Sequence, residues 1–78
     1  MAVAGLGSVA ISRYRLLLAR EPEREGWHRA LMRTYAAAGE RALALRQFHA
    51  CRTLLRERLG VAPSRETREL HTRILREG

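Results

Sequence analysis

The sequence contains no lysine, no aspartate and no asparagine, and only two prolines, four aromatic residues and one cysteine, Cys51. A single cysteine excludes an intramolecular disulfide framework and points to a reducing compartment. β-Branched residues are few and scattered, and no stretch alternates with period two, which speaks against a sheet. The longest apolar runs are about four residues, against the roughly 20 needed to cross a bilayer. Met1 to Ser12 is apolar but carries no positive residues ahead of its apolar run, unlike a secretory signal peptide. The 78 residues allow one small domain. A chain of this size buries only roughly 60–65% of its unfolded surface, so a pocket for cofactor and substrate together is not expected. The expected setting is cytoplasmic, with no membrane partner.

What the chain does contain is arginine, glutamate, leucine and alanine. All 15 basic residues are arginine and all 8 acidic ones are glutamate, for a net charge of +7. This skew resembles GC-rich coding, so part of the positive charge reflects base composition rather than a binding surface. Leucine and alanine supply twelve residues each, and all four types are good helix formers. The fold class is all-α.

Stop signals divide the chain into about four helices. The first is predicted from about Ser8 to Arg20, with Ala10, Tyr14, Leu17 and Leu18 at helical spacing. Pro22 ends it and suits the first position of the second helix, whose first turn then holds Glu23 and Glu25. The second helix runs to Ala38, with Trp27, Leu31, Tyr35 and Ala38 on one face and a Glu25–Arg29 pair beside it. Gly39 closes it with a left-handed residue. A third helix from near Glu40 then folds back as an antiparallel hairpin, burying Ala44, Phe48, Cys51, Leu55 and Leu59. Gly60 ends that helix, and Val61 is placed to touch Leu55. Pro63 and Ser64 start the fourth helix, with Ser64 as its N-cap. Its apolar side is Thr67, Leu70, His71, Ile74 and Leu75, and Glu69 pairs with Arg73.

Internal periodicity adds a stronger constraint. Ala10, Tyr14 and Leu17 recur as Ala44, Phe48 and Cys51, each displaced by 34 residues. This spacing resembles the tetratricopeptide repeat, in which a small residue lets the paired helix approach and an aromatic one turn later fills the gap. Leu31, Tyr35 and Gly39 match the spacing of that repeat's first helix, and Pro22 falls where a repeat ends. Three positions depart from the pattern. Trp27 is one residue early, leaving His28 at the usual aromatic position. Met32 replaces a small residue, which predicts a looser helix contact. Arg56 stands where a second terminal proline belongs, so the third helix runs on. The expected structural core is Ala10, Tyr14, Leu17, Leu31, Tyr35, Gly39, Ala44, Phe48, Cys51, Leu55, Gly60 and Pro63.

Two longer blocks carry a more specific resemblance. The run Pro22 to Gly39, and Ala44 to Phe48 followed by Leu54 to Arg68 with its Leu59-Gly60-Val61-Ala62-Pro63-Ser64-x-x-Thr67 core, resemble the bacterial transcriptional activator domain of SARP-type regulators. Arg58 stands where that family usually has glutamate. The resemblance covers about residues 13–76 and accounts for the long third helix. It implies a tetratricopeptide-like regulatory domain that normally follows a winged-helix DNA-binding domain and serves self-association or control of transcription activation. Residues 1–12 read as a leader outside the family, disordered at its start. Residues 13–78 read as the C-terminal part of such a domain.

No catalytic or cofactor constellation is evident. His28, His49 and His71 fall on three different helices with no aspartate, favouring packed histidines over a metal site. Cys51 sits at a packing position rather than in a reactive setting. Ser8, Ser12 and Ser64 lack a nucleophile-elbow context, and Gly5 and Gly7 form only a fragment of a phosphate loop. The expectation is a non-enzymatic chain with no cofactor and no small-molecule substrate. Its partner is expected to be a protein or a second copy of itself, with DNA reached at most through a separate domain. The first helix lacks a covering partner, so Ile11, Leu16 and Leu18 are the predicted partner surface. The alternative is a small basic protein that binds nucleic acid directly through its arginines, which rests on charge alone.

Overall fold

The computed structural model describes the backbone of residues 2–77 and the side chains of residues 7–77. Four helices follow one another: α1 (Ala2–Arg20), α2 (Glu25–Ala37), α3 (Arg41–Leu59) and α4 (Arg65–Glu77). Of the leader expected at residues 1–12, Met1 and the side chains of residues 2–6 lie outside the described residues. The backbone of residues 2–12 forms the first turns of α1, six residues earlier than the helix start predicted near Ser8.

The two glycine stops act as predicted. Gly39 adopts φ 79° and Gly60 φ 67°, the left-handed region that favours glycine. After α2, the Glu40 N–H donates to the Tyr35 carbonyl at 2.8 Å and the Gly39 N–H to the Ala36 carbonyl at 3.1 Å, the bond pair of a Schellman ending. After α3, the Gly60 N–H donates to the Arg56 carbonyl and the Val61 N–H reaches the Leu55 carbonyl at 3.4 Å. Both glycines are exposed, so they shape turns rather than fill the core. Pro22 differs from expectation. It lies in the turn before α2, which begins at Glu25, so Glu23 is not in that helix.

The stack is only 16 Å in its thinnest dimension, so every helix keeps a solvent face. Among the described residues α1 lies against α2 alone, whereas α2 also lies against α3 and α4. The core joins Leu31, Met32 and Tyr35 of α2 to Ala44 and Phe48 of α3 and Leu70 and Ile74 of α4. Ile11, Tyr14 and Leu18 of α1 pack against this cluster from the other side. Met32 is fully buried rather than loosening the hairpin, because a flexible thioether can fill an irregular gap that a rigid side chain could not. Cys51, Leu55, Thr67 and Pro63 are buried as well.

Three residues expected on apolar helix faces lie outside: Ala38, which is exposed in the turn after α2, Leu59 and Leu75. Leu59, the last residue of α3, is 54% exposed. Leu75 is 46% exposed, one residue past Ile74 and turned off the buried stripe of Thr67, Leu70 and Ile74. Glu69 pairs backwards with Arg65 at 3.1 Å rather than forwards with Arg73.

Candidate interaction site

The surface that this fold offers to other molecules depends on what holds the helices in register. The first clamp joins α2 to α4. The Glu25 carboxylate accepts hydrogen bonds from the Ser64 N–H at 3.0 Å, from the Ser64 hydroxyl at 3.0 Å and from the Thr67 hydroxyl. Ser64 caps α4 as predicted, with its Oγ 3.4 Å from the Thr67 N–H, and Glu25 adds a second, charged cap from another helix. Burial raises the Glu25 pKa, but the bonds from Thr67 and Ser64 and the nearby Arg29 charge outweigh it and hold the carboxyl below its ordinary value. Arg29 completes the clamp, donating to the Thr67 hydroxyl at 2.9 Å and pairing with Glu66 at 3.1 Å. Its predicted pairing with Glu25 is the longest of these contacts, at 3.9 Å.

The second clamp is His28, buried at the middle of the stack. Its Nε2 lies 2.8 Å from the Pro22 carbonyl and its Nδ1 2.8 Å from the Gln47 amide nitrogen. A carbonyl can only accept and an amide nitrogen can only donate, so the ring is neutral with its proton on Nε2. Burial pushes its pKa down, in keeping with that state. At the other end of the stack Arg41 donates to the Ile74 and Leu75 carbonyls at 3.2 and 2.9 Å, satisfying the end of α4.

The 34-residue register exposes an asymmetry between α1 and α3. Ala44, Phe48 and Cys51 are buried beneath α2, while their counterparts Ala10, Tyr14 and Leu17 are only half-buried. Leu43 packs against the core, whereas its counterpart Val9 is 59% exposed. Gln47 bonds to His28 of α2, whereas its counterpart Arg13 is exposed. The side of α1 that corresponds to the α2-facing side of α3 therefore carries no covering helix among the described residues. Of the three residues predicted at this surface, Leu16 is outside, 70% exposed. Ile11 and Leu18 instead turn inward, because they share the helical stripe of Tyr14. By register the open face is Val9, Ala10, Arg13 and Leu17, and Leu16, whose counterpart Ala50 is exposed on α3, borders it.

The chemistry-bearing side chains are engaged elsewhere. Burial pushes the Cys51 thiol up to about 11, so it stays protonated at neutral pH. His71 stacks on Phe48, with centroids 3.7 Å apart and planes 4° from parallel, and His49 approaches both edge-on. Thus α3 and α4 bring together two of the three histidines that helix assignment alone kept apart. No sequence motif links positions 49 and 71. Trp27 packs on Tyr14 and carries Arg24 over its ring at 5.7 Å. Arg24 pairs with Glu21 and Arg65 with Glu69, so with Arg29 and Arg41 four of the arginines serve structure.

Comparison with known proteins gives the context. Residues 2–75 match the sequence profile of the bacterial transcriptional activator domain. The fold is similar to EmbR of Mycobacterium tuberculosis, solved in complex with a low-affinity phosphopeptide, at 29% identity and a TM-score of 0.88. That similarity covers 97% of this chain and 20% of EmbR, so the chain spans about a fifth of its structural relative. No curated protein matches the chain by sequence.

Proposed function

The chain belongs to the bacterial transcriptional activator domain family, and from that premise we propose that it is the protein-interaction module of a SARP-type regulator, receiving a partner helix on the open face of α1. The observation that carries this reading is the register asymmetry. The same three repeat positions are buried in α3 beneath α2 and half-buried in α1. A helix laid on Val9, Ala10, Arg13 and Leu17 would complete for α1 what α2 completes for α3, burying apolar surface worth roughly 25 cal/mol per Å². Helical repeats bury their faces only by stacking on neighbours, so an uncovered repeat helix is a natural place for association. The role is regulatory rather than catalytic.

A second copy of the chain is the occupant most directly tested. Sedimentation velocity over a concentration series reaching tens of micromolar should show the sedimentation coefficient rising with concentration. Leu16→Glu and Val9→Glu, at exposed positions, should return the chain to a monomer without loss of helix. A sharply melting monomer at every concentration excludes self-association as this module's mode of action. Direct nucleic-acid binding receives less support: Trp27, Tyr14 and Phe48 are committed to internal packing and offer no free stacking platform.

A further inference from the structure

We infer that the cleft between the end of α3 and the start of α4 is a docking site for an acidic peptide segment carrying one apolar side chain. The cleft, of about 410 Å³, has an apolar floor of Phe48, Val61, Ala62 and Pro63 and a rim of Arg52, Arg56 and Arg68. This inference rests on reading the chain as an interaction module but names a different face from α1.

Three observations carry it. First, the rim charges are uncompensated. Among the described residues only Arg24, Arg29, Arg41 and Arg65 have a carboxylate or carbonyl partner; Arg52, Arg56 and Arg68 are three of the eleven arginines without one, and these three converge on a single opening with an apolar floor. No carboxylate lines the cleft. Three guanidinium groups around one opening suit carboxylates, which they can bind through paired hydrogen bonds.

Second, the junction one repeat earlier is built from different residues. Arg52 and Arg56 occupy the register positions of Leu18 and Pro22. Leu18 packs against the core and Pro22 turns the chain directly into α2. At the second junction α3 runs on to Leu59 and returns through Gly60 and Pro63, so the equivalent space stays open and its apolar filler is replaced by an arginine.

Third, the floor fits an aliphatic or aromatic side chain better than a nucleic acid. Val61 is about half exposed at the cleft, while Phe48 is buried and stacked on His71, leaving no ring face free for a base. Phosphate backbone brings charge but nothing apolar for that floor.

The test titrates the full chain against a fluorescein-labelled peptide of sequence Glu-Asp-Glu-Leu-Glu-Asp-Glu, with a DNA duplex of equal charge in parallel. Saturable peptide binding should weaken at least about tenfold, or 1.4 kcal/mol, in Arg52→Gln/Arg56→Gln/Arg68→Gln. The charge-matched control Arg15→Gln/Arg20→Gln/Arg33→Gln should change it far less, and replacing the central leucine of the peptide by serine should weaken it several-fold. Equal losses in the two triple variants, or duplex binding as tight as the peptide and equally dependent on the rim, overturns the inference. Amide shift mapping on the unmodified chain removes any dependence on variant folding: peptide-induced shifts should centre on Val61, Ala62 and Arg68, and shifts centred on α1 overturn it. A chain that self-associates but ignores the peptide refutes the cleft alone, whereas peptide binding by a strict monomer leaves the cleft standing and removes the α1 dimer.

Discussion

Glu25 accepts the Ser64 backbone N–H at 3.0 Å across 39 residues of sequence, so a side chain of α2 caps α4. This contact fixes where the fourth helix starts relative to the central one. The Glu25 carboxylate is partly buried, its pKa is held below the ordinary value, and its three donors are matched to a charged acceptor. Glu25→Gln should therefore cost about 1.5–3 kcal/mol, the range for hydrogen bonds to charged groups. Thr67→Val, which removes a fully buried hydroxyl shared by Glu25 and Arg29, should cost about 1–3 kcal/mol. Urea unfolding of the two single variants and the double variant checks both values. Fully additive losses would show that the two side chains do not act in one network.

Acid should destabilise the fold in two steps. His28 and His71 both have folded pKa values below the ordinary 6.5, in each case through burial first and, for His71, also through His49 and Arg52. The unfolded chain then binds protons before the folded one as pH falls through 6.5, so stability drops below that point. Glu25 has a folded pKa below its ordinary 4.5, so its contribution is present above that value and is lost as pH falls beneath it. Unfolding free energies measured from neutral pH to pH 4 should fall throughout. Stability that stays flat between pH 7 and pH 5 would contradict a buried neutral His28.

Phe48 lies between α2 and α4 and stacks on His71. Phe48→Ala should cost about 3–5 kcal/mol, comparable with the whole stability of a small domain. Thermal unfolding followed by circular dichroism checks it, and an unchanged melting temperature would remove Phe48 from the core.

The parts of this fold legible in the sequence are those written in local spacing. Gly39 and Gly60 mark left-handed turns, and the period of 34 matches Ala44 and Phe48 to Ala10 and Tyr14, while Leu31 and Tyr35 join Ala44 and Phe48 in the core. The parts that were not legible depend on partners far along the chain. No periodicity links Glu25 to Ser64 and Thr67, Arg41 to the last carbonyls of α4, or His28 to Gln47. The same limit misplaced Leu59 and Leu75, since helical spacing tells which face a residue shares but not where the neighbouring helix ends. It also misassigned Ile11 and Leu18, whose stripe faces α2, while Leu16 alone of the three faces out.

Cys51 is buried and its thiol is pushed up to about 11. It should be inert to a thiol reagent such as iodoacetamide at neutral pH and react only as the domain opens, so the labelling rate should rise with urea in step with unfolding. Fast labelling of the folded chain would place the thiol at the surface.

The open face of α1 is the centre of the functional account, and amide shifts of the isotopically labelled chain followed on dilution test it most directly. Because no helix among the described residues covers this side of α1, the resonances of Val9, Ala10, Arg13, Leu16 and Leu17 should move together as the chain is diluted from high to low micromolar concentration. Those of Leu70 and Ile74, on the far side of the stack, should stay in place. Shifts absent from α1, or spread evenly over all four helices, would contradict the claim that this face takes a second copy.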